Sequence, residues 1–188
     1  MDEIPLARRM WRLFEPVHSV TYFVPEAMAA VTDLGFRGFW RGYFAARAAP
    51  MGAVSAPVVS ATFFGFAPLL VDKAIPSSWS VAAPSALLDA RSAGAVAALR
   101  PLCGQVPDLS RLADLLWLAT EGLDTAGRPL AAGNVALPRP EDHLAAVWQA
   151  TTTLREHRGD GHVAALVVAG LGGLESHARF GGHQPVPH

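Results

Sequence analysis

A chain of 188 residues has room for one domain, or for two small halves sharing a core. Hydrophobic residues make up 51% and charged residues 16%, against about 25% charged in an ordinary soluble protein, so much of the surface must be buried internally or against a second copy, and a homodimer is expected. The net charge of -1 argues against a general nucleic-acid binder, and the single cysteine, Cys103, excludes internal disulfides and a cysteine-based zinc site.

In chain order, residues 4–15 place Met10, Leu13, Phe14 and Val17 at helical spacing, with Arg8, Arg9 and Arg12 on other faces. Pro16 is expected to kink or end that helix. Pro25-Glu26 opens the next, with proline suited to a first turn and glutamate to the positive end of the helix dipole, and Gly35 closes it. The segment Phe36 to Ala48 puts Trp40 and Phe44 on one helical face beside Phe36, Phe39 and Tyr43, with Arg37, Arg41 and Arg47 interleaved. Residues 52–75 are apolar; Val58-Val59 could be extended, but the surrounding Ala and Ser fit a short helix about as well.

An alanine-rich helix follows from Ser85 to Leu102, running Leu87, Leu88, Arg91, Ala95, Leu99, and Asp108 is placed to cap the helix after it. Gly127-Arg128-Pro129 reads as a turn and residues 130–139 as a loop. Pro140-Glu141 begins a helix reaching about His157, Gly159-Asp160-Gly161 reads as a tight break, and Asp160 then caps a last helix from Val163 to His177. Gly170-Leu171-Gly172-Gly173 would lie inside that helix as a close-packing feature. Strand alternation is missing, so the expected fold is all-α: a compact bundle of about seven to nine helices over residues 1–178, with 179–188 as a flexible tail. No signal peptide or transmembrane run is recognisable, and a cytoplasmic location without membrane association is expected.

The most unusual stretch is Leu154 to His162. A break there would bring His157 and His162 near one another beside Glu156 and Asp160, and would leave free N–H groups at a new helix start, flanked by Arg155 and Arg158, as an anion site. His18, among apolar and aromatic neighbours after Pro16, is a candidate third ligand, so that His18, His157 and His162 could hold a metal or haem iron, or act as acid–base groups. Arginine–glutamate pairs tying helices together would explain the same residues without a ligand. Aromatics with arginine at helical spacing can line a pocket for a flat or anionic molecule, or form a core whose arginines reach partner carboxylates. The leading expectation is a small-molecule site, for an aromatic or anionic ligand, between Tyr22, Phe39, Trp40, Tyr43 and Arg47 on one side and Arg155, His157, Arg158, Asp160 and His162 on the other, with His18 nearby. A histidine-dependent metal or haem enzyme and a DNA-binding regulator, using Arg8, Arg9 and Arg12 on phosphates, are the alternatives.

At LFEPVHSVTYFVPEA, GFRGFWRGYFAARAAPMG, ATFFGFAP and LREHRGDGHVAALVVAGLGGLE, the chain resembles an actinobacterial family carrying a helix-turn-helix label, over roughly residues 6–176. The resemblance implies a helical fold with a further C-terminal winged-helix-like region. It supplies no catalytic residues. The sequence departs from that pattern soon after Glu175, in a Gly/Pro/His tail, so DNA is not the expected partner.

Overall fold

The computed structural model describes residues 3–173 and 175. They form nine α-helices and no strand. In order these are α1 (Glu3–Phe23), α2 (Pro25–Asp33), α3 (Phe39–Ala48), α4 (Ala56–Thr62), α5 (Pro68–Ala74), α6 (Pro84–Cys103), α7 (Leu109–Glu121), α8 (Pro129–Val135) and α9 (His143–Val168). The all-α expectation holds. The tail assigned to 179–188 lies outside the described residues.

Helix starts follow local chemistry. Proline occupies the first turn of α2, α4, α5, α6 and α8, where its missing N–H costs nothing. Gly35, at φ +98°, takes the left-handed turn that follows α2. The apolar 52–75 segment resolves into α4 and α5, and the expected loop at 130–139 contains α8. Asp108 sits at the N-cap position of α7, but in a left-handed conformation without a side-chain cap, contrary to expectation. Asp142 caps α9 instead, its carboxylate accepting from the Ala145 N–H at 2.9 Å.

Two expected breaks are absent. α1 runs through Pro16, although the ring withholds an N–H from the Arg12 carbonyl. Val17 and Val20 beyond it pack on Ala95, Leu99, Leu144 and Trp148, and that burial holds the helix together across the defect. α9 likewise runs through Gly159-Asp160-Gly161 without a turn. Two glycines in a helix cost about 1 kcal/mol each relative to alanine, and packing against α1, α6, α7 and α8 offsets that cost. Gly170, at φ +68°, follows the end of the helix, so the glycines at 170–173 lie beyond it rather than inside it, and Gly173 packs so closely on the Phe64 carbonyl that a Cβ would collide with it.

α9 is the axis of the molecule. α1, α6, α7 and α8 all pack on it, while α2 lies on α6 and α3 on α5 and α6. The α2–α6 approach is close enough that a Cβ on Gly94 would sit 2.6 Å from the Ala27 Cα. One apolar cluster gathers Phe44, Val59, Phe63, Val71, Ile75 and Leu130, and a second gathers Tyr22, Phe36, Ala45, Ala46 and Leu87. No described helix is long and apolar enough to cross a membrane.

Candidate functional site

Buried polar groups stand on one face of α9: Gln149, the adjacent Thr152 and Thr153, Glu156 and Asp160, recurring every three or four residues. Facing them are His18 and Thr21 from α1, Arg47 from α3, Arg91 from α6 and Asn134 from α8. The core of this bundle is therefore a polar network drawn from five helices.

Glu156 is its centre. Its side chain is 2% exposed and takes a two-pronged interaction from Arg47, with Nε donating to Oε1 and Nη2 to Oε2, each at 2.9 Å. Arg155 Nη1 donates to the same Oε2 at 2.9 Å, and its Nε lies 3.5 Å from Glu15 on α1. Arg47 also donates to the Tyr43 hydroxyl at 3.1 Å, and its guanidinium lies 4.6 Å from the Phe63 ring centre. Burial works against the Glu156 charge, yet Arg47 and Arg155 outweigh it and hold the carboxyl well below the usual carboxylate range. Arg47 is likewise raised above its ordinary value, the Glu156 charge overcoming the effect of its own burial.

His18 is 3% exposed. Its Nε2 lies 3.9 Å from Glu156, its Nδ1 lies 3.4 Å from the Thr152 hydroxyl, and its ring meets Tyr22 edge-on at 5.6 Å. Burial lowers its pKa from 6.5 to about 3, against the pull of Glu156 and with help from the charges of Arg155 and Arg47. It is a neutral core imidazole at physiological pH.

Asp160 does not cap its own helix. Its carboxylate accepts from the Ala131 N–H at 2.9 Å and so caps α8 from across the interface. Burial raises its pKa. His157 and His162 are five residues apart on one unbroken helix, about 140° around it, so they do not converge. The His157 Nε2–H donates to the Asp124 carbonyl at 2.8 Å, and His162 is exposed. Arg158 turns away to stack over Trp11 at 4.9 Å. The expected histidine set at His18, His157 and His162 is not assembled: among the described residues no three His, Cys, Asp or Glu side chains come together to hold a metal ion. Nor does α9 offer a helix start near His162 for an anion, because its N–H groups there are spent within the helix.

The aromatic half of the expected site does assemble. Tyr22 and Tyr43 meet edge-on at 4.9 Å, Phe39 stacks on Tyr43 at 5.6 Å, and Trp40 meets Tyr43 at 5.9 Å. A hollow of about 180 Å³ opens beside them, between α1, α2 and α3, lined by Tyr22, Phe39 and Tyr43 together with Met28, Val31 and Gly42. Trp40 is not in its lining.

Sequence reading missed Arg91, Asn134 and Gln149. Arg91 is 1% exposed and donates to Asn134 at 2.9 Å and to Gln149 at 3.4 Å. The signal was its register: Leu87, Arg91 and Ala95 follow at intervals of four, which puts a guanidinium on the buried face of α6. Tyr22 belongs to the same region. Its hydroxyl is sealed from solvent and has no hydrogen-bond partner among the described residues, and burial raises its pKa despite the nearby Arg91 charge.

Fold and site together define an all-α domain built around a buried polar network. Residues 7–186 match a family described as a helix-turn-helix family, and the chain belongs to that family. No curated protein and no solved structure matches the chain.

Proposed function

We propose that this chain is a helical small-molecule-binding domain of its helix-turn-helix family, and that its ligand occupies the hollow between α1, α2 and α3. The observation that carries this reading is the lining: Tyr22, Phe39 and Tyr43 with Met28 and Val31, backed by the Arg47–Glu156 network. Apolar and aromatic walls with few polar groups are the usual character of such sites. At about 180 Å³, the space compares with the roughly 150 Å³ engineered cavity that holds benzene. One ring, or two fused ones, is the size it accepts. The network fixes the walls, because Arg47 holds Tyr43 from behind while α9 holds Arg47.

Phenol, indole and quinoline test this by titration calorimetry and thermal shift. At least one should bind saturably to the wild type. Met28→Trp should abolish that binding, since Met28 is 41% exposed and a larger side chain there fills the hollow without invading the core. Absence of binding by all three, or equal binding by Met28→Trp, sinks the reading.

A second reading, DNA binding, is favoured by the family and by the exposed Arg8, Arg9 and Arg12 on α1. α3, which follows the turn at 34–38, buries Gly42, Phe44, Ala45, Ala46 and Ala48, so it offers little face to a groove. Contact through α1 would be to phosphates, with affinity falling steeply between 50 and 200 mM salt as about three counterions are released. Fluorescence polarisation on duplex DNA measures this, and a triple alanine variant at positions 8, 9 and 12 should remove it. No polarisation change at 50 mM salt refutes it.

A further inference from the structure

The hollow between α1, α2 and α3 has a direction. Its inner end is made by the buried residues Thr21, Tyr22, Ala27, Phe36, Gly42 and Ala46, and its outer end by the exposed Met28, Thr32 and Gly38. None of the residues lining it is charged, and the Arg47 guanidinium behind Tyr43 is matched by Glu156. An ion taken inside would therefore leave water without a counter-charge in the wall, which is expensive.

Two inner residues carry hydroxyls, and both are withheld from an occupant. Thr21 Oγ1 donates to the His18 carbonyl and accepts from Trp148 Nε1 at 2.9 Å. The Tyr22 hydroxyl is sealed from the hollow as it is from solvent, with Arg91 as its charged neighbour, so only the ring is offered. On the wall, the Tyr43 hydroxyl is turned to Arg47 Nη1 at 3.1 Å. Ala27, Phe36, Gly42 and Ala46 have no polar side-chain atom. At the outer end the conditions reverse: Met28, Thr32 and Gly38 meet water, and a polar substituent there keeps its hydration. A hydroxyl carried to the inner end would lose water and find no side-chain partner, which weakens binding by about 10- to 100-fold.

We infer that the hollow selects neutral single-ring compounds whose polar groups all lie on one edge. That edge faces Met28, Thr32 and Gly38, and the opposite edge, bare or methyl-bearing, rests on Ala27, Phe36 and Ala46. The inference rests on the reading that this hollow is the ligand site, and adds to it the chemical class of the ligand and the way round it sits.

The test is calorimetric titration of the full chain, under nitrogen, with p-cresol, catechol and hydroquinone. Catechol and hydroquinone carry the same two hydroxyls on the same ring, adjacent in one and opposite in the other, so comparing them separates orientation from hydrophobicity. Both p-cresol and catechol should bind at least about 10-fold more tightly than hydroquinone. Ala46→Ser places a hydroxyl at the inner end; bonded back to the Gly42 carbonyl, it can still accept from a ligand, and the gap between catechol and hydroquinone should shrink to about 3-fold or less. Should that variant fail to fold, the three ligands on the wild type decide alone. Hydroquinone binding the wild type as tightly as catechol would overturn the inference and leave the hollow as a ligand site. An undiminished gap in folded Ala46→Ser would overturn it too, by placing the discrimination elsewhere. No binding by any of the three also overturns it, and takes the underlying reading with it only if phenol, indole and quinoline are silent as well.

Discussion

His18 gives the sharpest physical handle on the buried network. In the folded chain its pKa is lowered from 6.5 to about 3 by burial. The unfolded chain therefore takes up a proton on His18 as pH falls through 6.5, and the folded chain does not until near 3. Stability from this group is full above 6.5 and is lost progressively down to about 3. At pH 5.5 the loss is RT ln(1 + 10), about 1.4 kcal/mol, and it barely depends on the folded value as long as that stays below about 4.5. For a domain of this size that is about 3–6 °C in Tm. The assay is urea denaturation of the wild type and of His18→Asn at pH 7.5 and 5.5. Asn keeps a polar atom where Nδ1 meets Thr152 but does not titrate. Subtracting the variant's pH response removes the contribution of the other six histidines. The wild type should lose about 1.4 kcal/mol more than the variant over that range. Parallel losses in the two proteins would refute the placement of His18 as a sealed, neutral core group.

Glu156→Gln removes the counter-charge of Arg47 and a partner of Arg155; a loss of about 3–5 kcal/mol is expected from chemical denaturation, and a loss under 1 kcal/mol would show that water reaches the cluster. Gly159→Ala should stabilise by about 0.5–1 kcal/mol, since its Cβ would meet only Glu156 Oε2 at 3.4 Å and Arg155 Nη1 at 3.6 Å; destabilisation by that change would mean that the chain breaks there after all. Gly94→Ala should cost about 1–3 kcal/mol by forcing α6 away from Ala27, and an unchanged Tm would contradict the close helix approach. Asp160→Ala should cost about 1–2 kcal/mol by uncapping α8, with faster hydrogen exchange at Ala131 as the specific signature.

Much of the site could be read from the chain and the rest could not, for a reason that particular residues show. The aromatic run 36–44 declared a ring cluster because its residues are neighbours on one helix, and Tyr22 joined it through the same apolar logic. Glu156 was visible as a charge in a charged stretch, yet its partner Arg47 lies 109 positions away, and no local pattern pairs them. The histidines at 157 and 162 looked convergent only while a break stood between them.

By itself the sequence determined that the fold is all-α, that Pro25 opens and Gly35 closes the second helix, and that one segment stacks aromatic rings. These follow from hydrogen bonds and sterics within a few residues. Tertiary structure decided that α1 survives Pro16, that α9 survives Gly159 and Gly161, and that Asp160 caps a neighbour rather than its own helix. In each case, burial against distant helices outweighs a local cost of a few kcal/mol at most. The same burial joined Arg91, His18 and Glu156, from three separate helices, into a shared interior.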